Sequence, residues 1–139
     1  MAKRRNSDKI IPEPQLPKDI TIKFSFRCYD DTGRYCLSKW EKDDVSLALQ
    51  RLKEINCKTY NELHQSRFAF SFHPVNWATT TEKDGYSDNF LKDMEPFQIA
   101  ILGVNNQKAR MYGALKENTF YIVWFDLEHK ITPSALKHT

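Results

Sequence analysis

Cysteine and glycine are both scarce here: three Cys (Cys28, Cys36 and Cys57) and four Gly in 139 residues. An odd set of cysteines with no C-x-x-C pair builds neither a disulfide framework nor a tetrahedral zinc site within one chain, which fits a reducing cytoplasm. The polar run Thr79 to Gly85 lacks the glycines that let backbone amides wrap a nucleotide phosphate, and its Asp84-Gly85 pair reads first as a turn. No two of the four histidines have helix-face or zinc-finger spacing, so neither a metal nor a cofactor is expected. Long apolar runs are missing as well. The opening Met-Ala-Lys-Arg-Arg is followed by no apolar stretch, so the sequence predicts no signal peptide, no membrane segment and a cytoplasmic protein.

A large excess of charge is also lacking. The formal net charge is +3, and residues 1–19 account for most of it, with Lys3, Arg4, Arg5, Lys9 and Lys18 against Asp8, Glu13 and Asp19. The remaining residues are near neutral. Net charge cannot draw them to phosphate, so any nucleic-acid binding must come from local clustering on one face. What the chain does have is apolar surface: 40% hydrophobic and 13% aromatic residues are enough to offset the entropy of folding.

Three of the six prolines, Pro12, Pro14 and Pro17, fall in the first 18 residues and deny them a helix or an internal strand. The reading is a flexible basic arm over residues 1–19 and a single α+β domain over 20–139. Within the domain, Ile22, Phe24, Phe26 and Cys28 alternate as in a half-buried strand, and Asp30 to Gly33 supplies turn chemistry for a hairpin that returns over Arg34 to Ser38. Val45, Ala48, Leu49, Leu52 and Ile55 then form a helical stripe with Asp43 or Asp44 as N-cap, and Thr59-Tyr-Asn-Glu62 has the form of a capping box opening a second helix. Phe68, Phe70 and Phe72 predict a short strand or an extended segment before His73-Pro74. Residues 74–95 follow as a long aperiodic loop. After Pro96 a three-stranded antiparallel meander is expected: Phe97, Ile99 and Ile101 alternate, Ala109 to Leu115 continues, and Phe120 to Asp126 is the apolar run of a central strand.

Several segments carry a resemblance. His73-Pro-Val-Asn-Trp77, Thr80-Thr-Glu-Lys-Asp-Gly85, Arg110-Met-Tyr-Gly113 and Trp124-Phe-Asp126-Leu-Glu-His129-Lys130 resemble a small bacterial family without established function. More distantly, a strand, a helical pair and a C-terminal meander with an Arg-x-x-Gly strand and a terminal Asp and His resemble the RelE and HigB toxins. That resemblance implies a RelE-like fold interrupted by the 74–95 loop, and messenger-RNA cleavage without metal. Arg110 would take the phosphate-stabilising place, with Asp126 and His129 near the terminal catalytic place. A cognate antitoxin or another protein is implied as partner, beside RNA.

The residues can be read independently of kinship. Metal-free RNA cleavage needs a base, a cation for the crowded phosphate and an acid for the leaving oxygen, roles open to His129, Arg110 and Tyr112. The structural alternative pairs Arg110 with Asp126, spreads Tyr112 over the core edge and leaves His129 to end a loop. His73, Trp77, Lys83 and Lys108 are candidate binding residues, Trp77 either stacking on a base or plugging the loop onto the core. Two functions follow. One is an RNA-directed endoribonuclease of a toxin or phage-defence system; the other is a non-catalytic protein- or nucleic-acid-binding module, or an inhibitor, encoded on a mobile element.

Overall fold

The computed structural model describes residues 20–133. The basic arm expected over residues 1–19 lies outside the described residues. In chain order the elements are β1 (Lys23–Ser25), α1 (Lys42–Asn56), α2 (Tyr60–Gln65), α3 (Arg67–Phe70), β2 (His73–Pro74), β3 (Glu95–Ala100), β4 (Arg110–Lys116) and β5 (Thr119–Asp126). They form a mixed α+β structure whose five-stranded sheet runs β1-β5-β4-β3-β2. β3, β4 and β5 make the expected antiparallel meander, β2 adds antiparallel to β3, and β1 joins β5 in parallel.

The apolar run of β5 is continuous because both faces of the sheet are covered. Ile99, Met111, Phe120, Ile122 and Phe125 face the helices and join Ala48, Ile55 and Leu63 in one core. Tyr112, Ala114, Val123 and Trp124 face the other way, under residues of the long loop. That loop is therefore a second layer. Trp77 and Tyr86 meet the Trp124 ring edge-on at 6.0 and 5.0 Å, Tyr35 packs on it at 5.4 Å, and the indole N–H donates to Asp30 Oδ2 at 3.3 Å.

The two-face arrangement hinges on a β-bulge. Tyr112 stands opposite Trp124, but Gly113 stands opposite Ile122, so Val123 is the extra residue and shares its side with Trp124. A Cβ on Gly113 would overlap the Tyr121 carbonyl oxygen and the Phe120 ring. The Gly113 carbonyl in turn accepts from the Tyr86 hydroxyl at 2.6 Å, which ties the loop to the bulge. The glycine of the Arg-x-x-Gly strand is thus a packing requirement.

Several local expectations change. Residues 34–38 do not return as a hairpin strand: Asp30 N donates to the Val123 carbonyl and Phe125 N to the Tyr35 carbonyl, so this stretch runs beside β5 and ends in a 3-10 turn at Leu37–Lys39. Its hairpin role is taken by a parallel pairing from a distant part of the chain. Phe68 and Phe70 lie in α3, because the Ser66 junction continues from α2 and Ser71, at φ 49°, reverses the chain only afterwards. Phe26 and Leu49 are exposed where core positions were expected, since β1 ends at Ser25 and the buried face of α1 centres on Ala48, Arg51 and Ile55. Neither Asp43 nor Asp44 caps α1; Glu41 occupies that place without a side-chain bond. The capping box at α2 forms as expected: Thr59 Oγ accepts from Glu62 N, and Glu62 Oε1 from Thr59 N.

Two substitutions check this architecture by chemical denaturation. Gly113→Ala should cost about 3 kcal/mol, since main chain and a buried ring must both move. Trp124→Ala should cost roughly 3–5 kcal/mol by leaving a cavity where the two layers meet. A Gly113→Ala protein as stable as the parent would rule out the bulge.

Candidate functional site

The residues first considered for catalysis gather at one end of the meander, but mostly as internal supports. Arg110 and Asp126 are register partners on β4 and β5. The Arg110 guanidinium donates to the Gln107 and Ala109 carbonyls instead of forming an ion pair with that carboxylate. Tyr112 is 0% exposed, with its hydroxyl 2.8 Å from Thr132 Oγ1, and burial raises its pKa. Asp126 is 1% exposed and accepts from the backbone N–H of Ile131 at 2.7 Å. Its carboxyl is pushed above the usual range by burial, against which the backbone N–H groups of Ile131, Lys130 and Glu128 pull. His129 is buried in the loop that this carboxylate organises, at φ 58°. The Asp-x-x-His spacing is the spacing of a side-chain-stapled turn.

The candidate binding residues divide. Lys83 Nζ donates to the Ala78 and Thr80 carbonyls and thereby stitches its own loop. Trp77 plugs the loop onto Trp124. Lys108 is exposed and shares a shallow depression with Thr81, Glu128, His129, Lys130 and Pro133. Arg34 is bound to Glu82, and Lys130 to Glu128, so part of the positive charge at this end is neutralised locally. His73 lies elsewhere, on the edge strand β2.

At that opposite edge of the sheet is a cavity of about 560 Å³ that sequence reading had not assembled. The i, i+4 spacing on α2 stacks Tyr60 and His64 with centroids 5.9 Å apart. Tyr60 meets Phe72 edge-on at 6.3 Å, and Phe72 stacks on Phe97 of β3 at 4.6 Å and 13°. Four rings thus run in series from helix to sheet. Phe68 on α3 is 84% exposed, the Arg67 guanidinium carbon lies 4.9 Å from its ring centre, and Arg67 also donates to the His64 carbonyl at 2.9 Å. His73, Pro74 and Glu95 complete the wall. A second cavity of about 430 Å³ shares Tyr60, Glu95 and Phe97 with it and runs on to Glu117 and Asn118, so the two make one groove. The sequence signals for this site were His73, already a candidate binding residue, and the density of Phe between 68 and 72, which was read as a strand.

Among the described residues no group of three or more His, Cys, Asp or Glu side chains is placed to hold a metal ion, and no helix is long and apolar enough to cross a membrane. Comparison with protein-family models, curated proteins and solved structures returned no match to this chain.

Asp126 gives a direct test of its structural role. Its folded pKa lies above the ordinary 3.8, so the ionised form is disfavoured in the fold and subtracts from stability at neutral pH; the penalty is relieved as pH falls through the folded value. Asp126→Asn keeps an acceptor without the charge and should equal or exceed the parent at neutral pH, with the gap closing toward about pH 4. Asp126→Ala should lose about 1–3 kcal/mol through orphaned N–H groups. Urea unfolding of the three proteins across that range reads both effects, and an Asp126→Asn protein that unfolds as readily as Asp126→Ala would contradict them.

Proposed function

We propose that this protein is an RNA-directed binding module that holds unstacked bases in the aromatic groove and does not cut the strand. The observation that carries the reading is a cavity lined by a series of four rings, with the exposed Phe68 and Arg67 beside it on the same wall. Base-on-ring stacking tolerates any sequence, and a guanidinium next to a stacking ring suits a base followed by its phosphate. Residues 20–139 are near neutral, but the densest cations, Lys3, Arg4, Arg5 and Lys9, belong to the sequence that precedes Ile20. The next residue, Thr21, bridges to Thr59, which precedes Tyr60 of the groove.

A RelE-like origin of the scaffold belongs to the same proposal, with residues 74–95 as its added layer and with a toxin or phage-defence system in the cytoplasm as the setting. In this reading the toxin's catalytic positions have become supports, and a cognate antitoxin is a partner still to be sought. Catalysis has less behind it, since the acid and base of a cleavage step must reach the RNA and both Tyr112 and His129, the groups considered for those roles, are buried.

Fluorescence anisotropy with a short labelled single-stranded RNA tests the proposal. The protein should bind it in preference to a duplex of the same sequence and leave its length unchanged on a gel. Phe68→Ala, an exposed position whose loss should not unfold the protein, should weaken binding by about 1–3 kcal/mol, roughly five- to 150-fold. Affinity no better than about 10⁻⁴ M, the weak end of non-specific association, would reject the module. So would affinity unchanged by Phe68→Ala. Cleavage abolished by Arg110→Ala or His129→Ala would restore the ribonuclease.

A further inference from the structure

We infer that the aromatic groove selects guanine, holding the base beside Tyr60 with its N1–H and N2 amino group on the Glu95 carboxylate and the adjoining phosphate on Arg67. This rests on the groove being the RNA site proposed above, and it names the base that the site takes.

Glu95 opens β3 two residues before Phe97, so both side chains leave the strand on the same face. Phe97 packs toward the helices, and Glu95, Tyr60 and Phe97 line both cavities of the groove. Glu95 is exposed, and its carboxylate enters no hydrogen bond or ion pair among the described residues. In the second cavity Asn118 is 8% exposed, and among the described residues its side-chain oxygen lacks a hydrogen-bond partner. This part of the groove therefore holds acceptors that the fold leaves without donors, and a ligand that fits it brings donors.

Arg67 lines the first cavity and not the second. Its guanidinium is turned to the His64 carbonyl and the Phe68 ring, and it forms no ion pair with Glu95. One cavity thus carries a carboxylate and a cation that do not neutralise each other, with aromatic rings in its wall. Glu95 repels a bare run of phosphates, and Arg67 repels a cationic peptide. A nucleotide suits both, because it joins a donor edge to a negative charge.

Guanine stands apart among the bases. Its N1–H and N2 amino group are neighbouring donors on one edge and meet the two oxygens of a carboxylate side by side. Adenine and cytosine set an acceptor nitrogen next to the amino group, and uracil flanks a single N3–H with carbonyls, so each turns a lone pair on Glu95. Discrimination then comes from attraction and repulsion together. The neighbouring base stacks on Phe68 whatever its identity.

Fluorescence anisotropy with short labelled uridine oligomers carrying one central guanine, inosine, adenine or cytosine tests the selection. The parent should bind the guanine oligomer at least about tenfold tighter than those with adenine or cytosine, as one bidentate base contact allows. Inosine, which lacks the N2 amino group, should fall between. Glu95→Gln keeps the shape and exchanges one acceptor for a donor, so preference should pass to adenine or cytosine, whose amino group and adjacent ring nitrogen match a carboxamide. Phe68→Ala should weaken all the oligomers and leave their ranking unchanged. A parent without guanine preference, or a preference that survives Glu95→Gln, would overturn the inference; oligomers that all bind alike and weaken with Phe68→Ala would leave the RNA module standing without it. Calorimetry with guanosine and adenosine monophosphates separates the converse case. Guanosine monophosphate bound by the parent and lost in Glu95→Gln, with no oligomer bound, would keep the guanine site and remove the RNA reading. Binding of neither nucleotide nor oligomer would overturn both, as would an arginine-rich peptide that binds in their place and weakens with Glu95→Gln.

Discussion

The strand pair β4–β5 must be buried on both faces, and the rest of the molecule is arranged to meet that demand. An eight-residue strand carrying Phe120, Ile122, Val123, Trp124 and Phe125 cannot leave either side to water without exposing several large side chains. Helix α1 and its short successors cover one side. The other has no α-helix to cover it among the described residues, and residues 75–94, with 3-10 turns at Trp77–Thr79 and Asn89–Leu91, do so with Val75, Trp77, Tyr86, Phe90 and Leu91. A segment without periodicity can serve as a layer because its backbone needs are met locally, by Asn76 and Asp88 accepting from the amides of Ala78 and Phe90 and by Lys83 holding two carbonyls.

That second layer decides where function can reside. An uncovered sheet would present Tyr112 and its neighbours to a substrate, whereas here the loop lies over them and their polar atoms are used internally. The same residue types that suggest phosphate chemistry also make good supports. A guanidinium closes the carbonyls of a tight turn, a carboxylate gathers the amides of the next one, and a phenol bridges to Thr132. What is left open to solvent is the far edge, where Tyr60 of α2 is only partly covered and His64 of α2 and Phe68 of α3 are exposed, over the buried Phe72 and Phe97.

The edge groove also gives meaning to the way the chain enters the fold. A short parallel strand at the sheet margin is a weak anchor by itself, with three residue pairs. The bonds from Ile22 and Lys23 to Lys58 and Asn118, and from Asn56 back to Ile22, reinforce it and fix the exit point of the preceding segment beside Tyr60.

The sequence by itself determined the meander, the helical stripe of α1 and the capping box at Thr59–Glu62, because periodicity and capping are properties of neighbours along the chain. It also pointed to the core position of Trp124, through an apolar run too continuous for a half-exposed strand. It left open whether Trp77 stacks on a ligand or plugs a loop, and it misplaced Phe68, whose helix follows from how Ser66 and Ser71 join neighbouring turns. Tertiary structure alone decided the parallel pairing of β1 with β5, the bulge opposite Gly113 and the burial of Asp126. It also alone brought Tyr60, Phe72 and Phe97 into one series, although up to 37 residues separate them in the chain. Contacts across such separations depend on which surfaces remain once the two faces of the sheet have been covered, and no local pattern encodes that remainder.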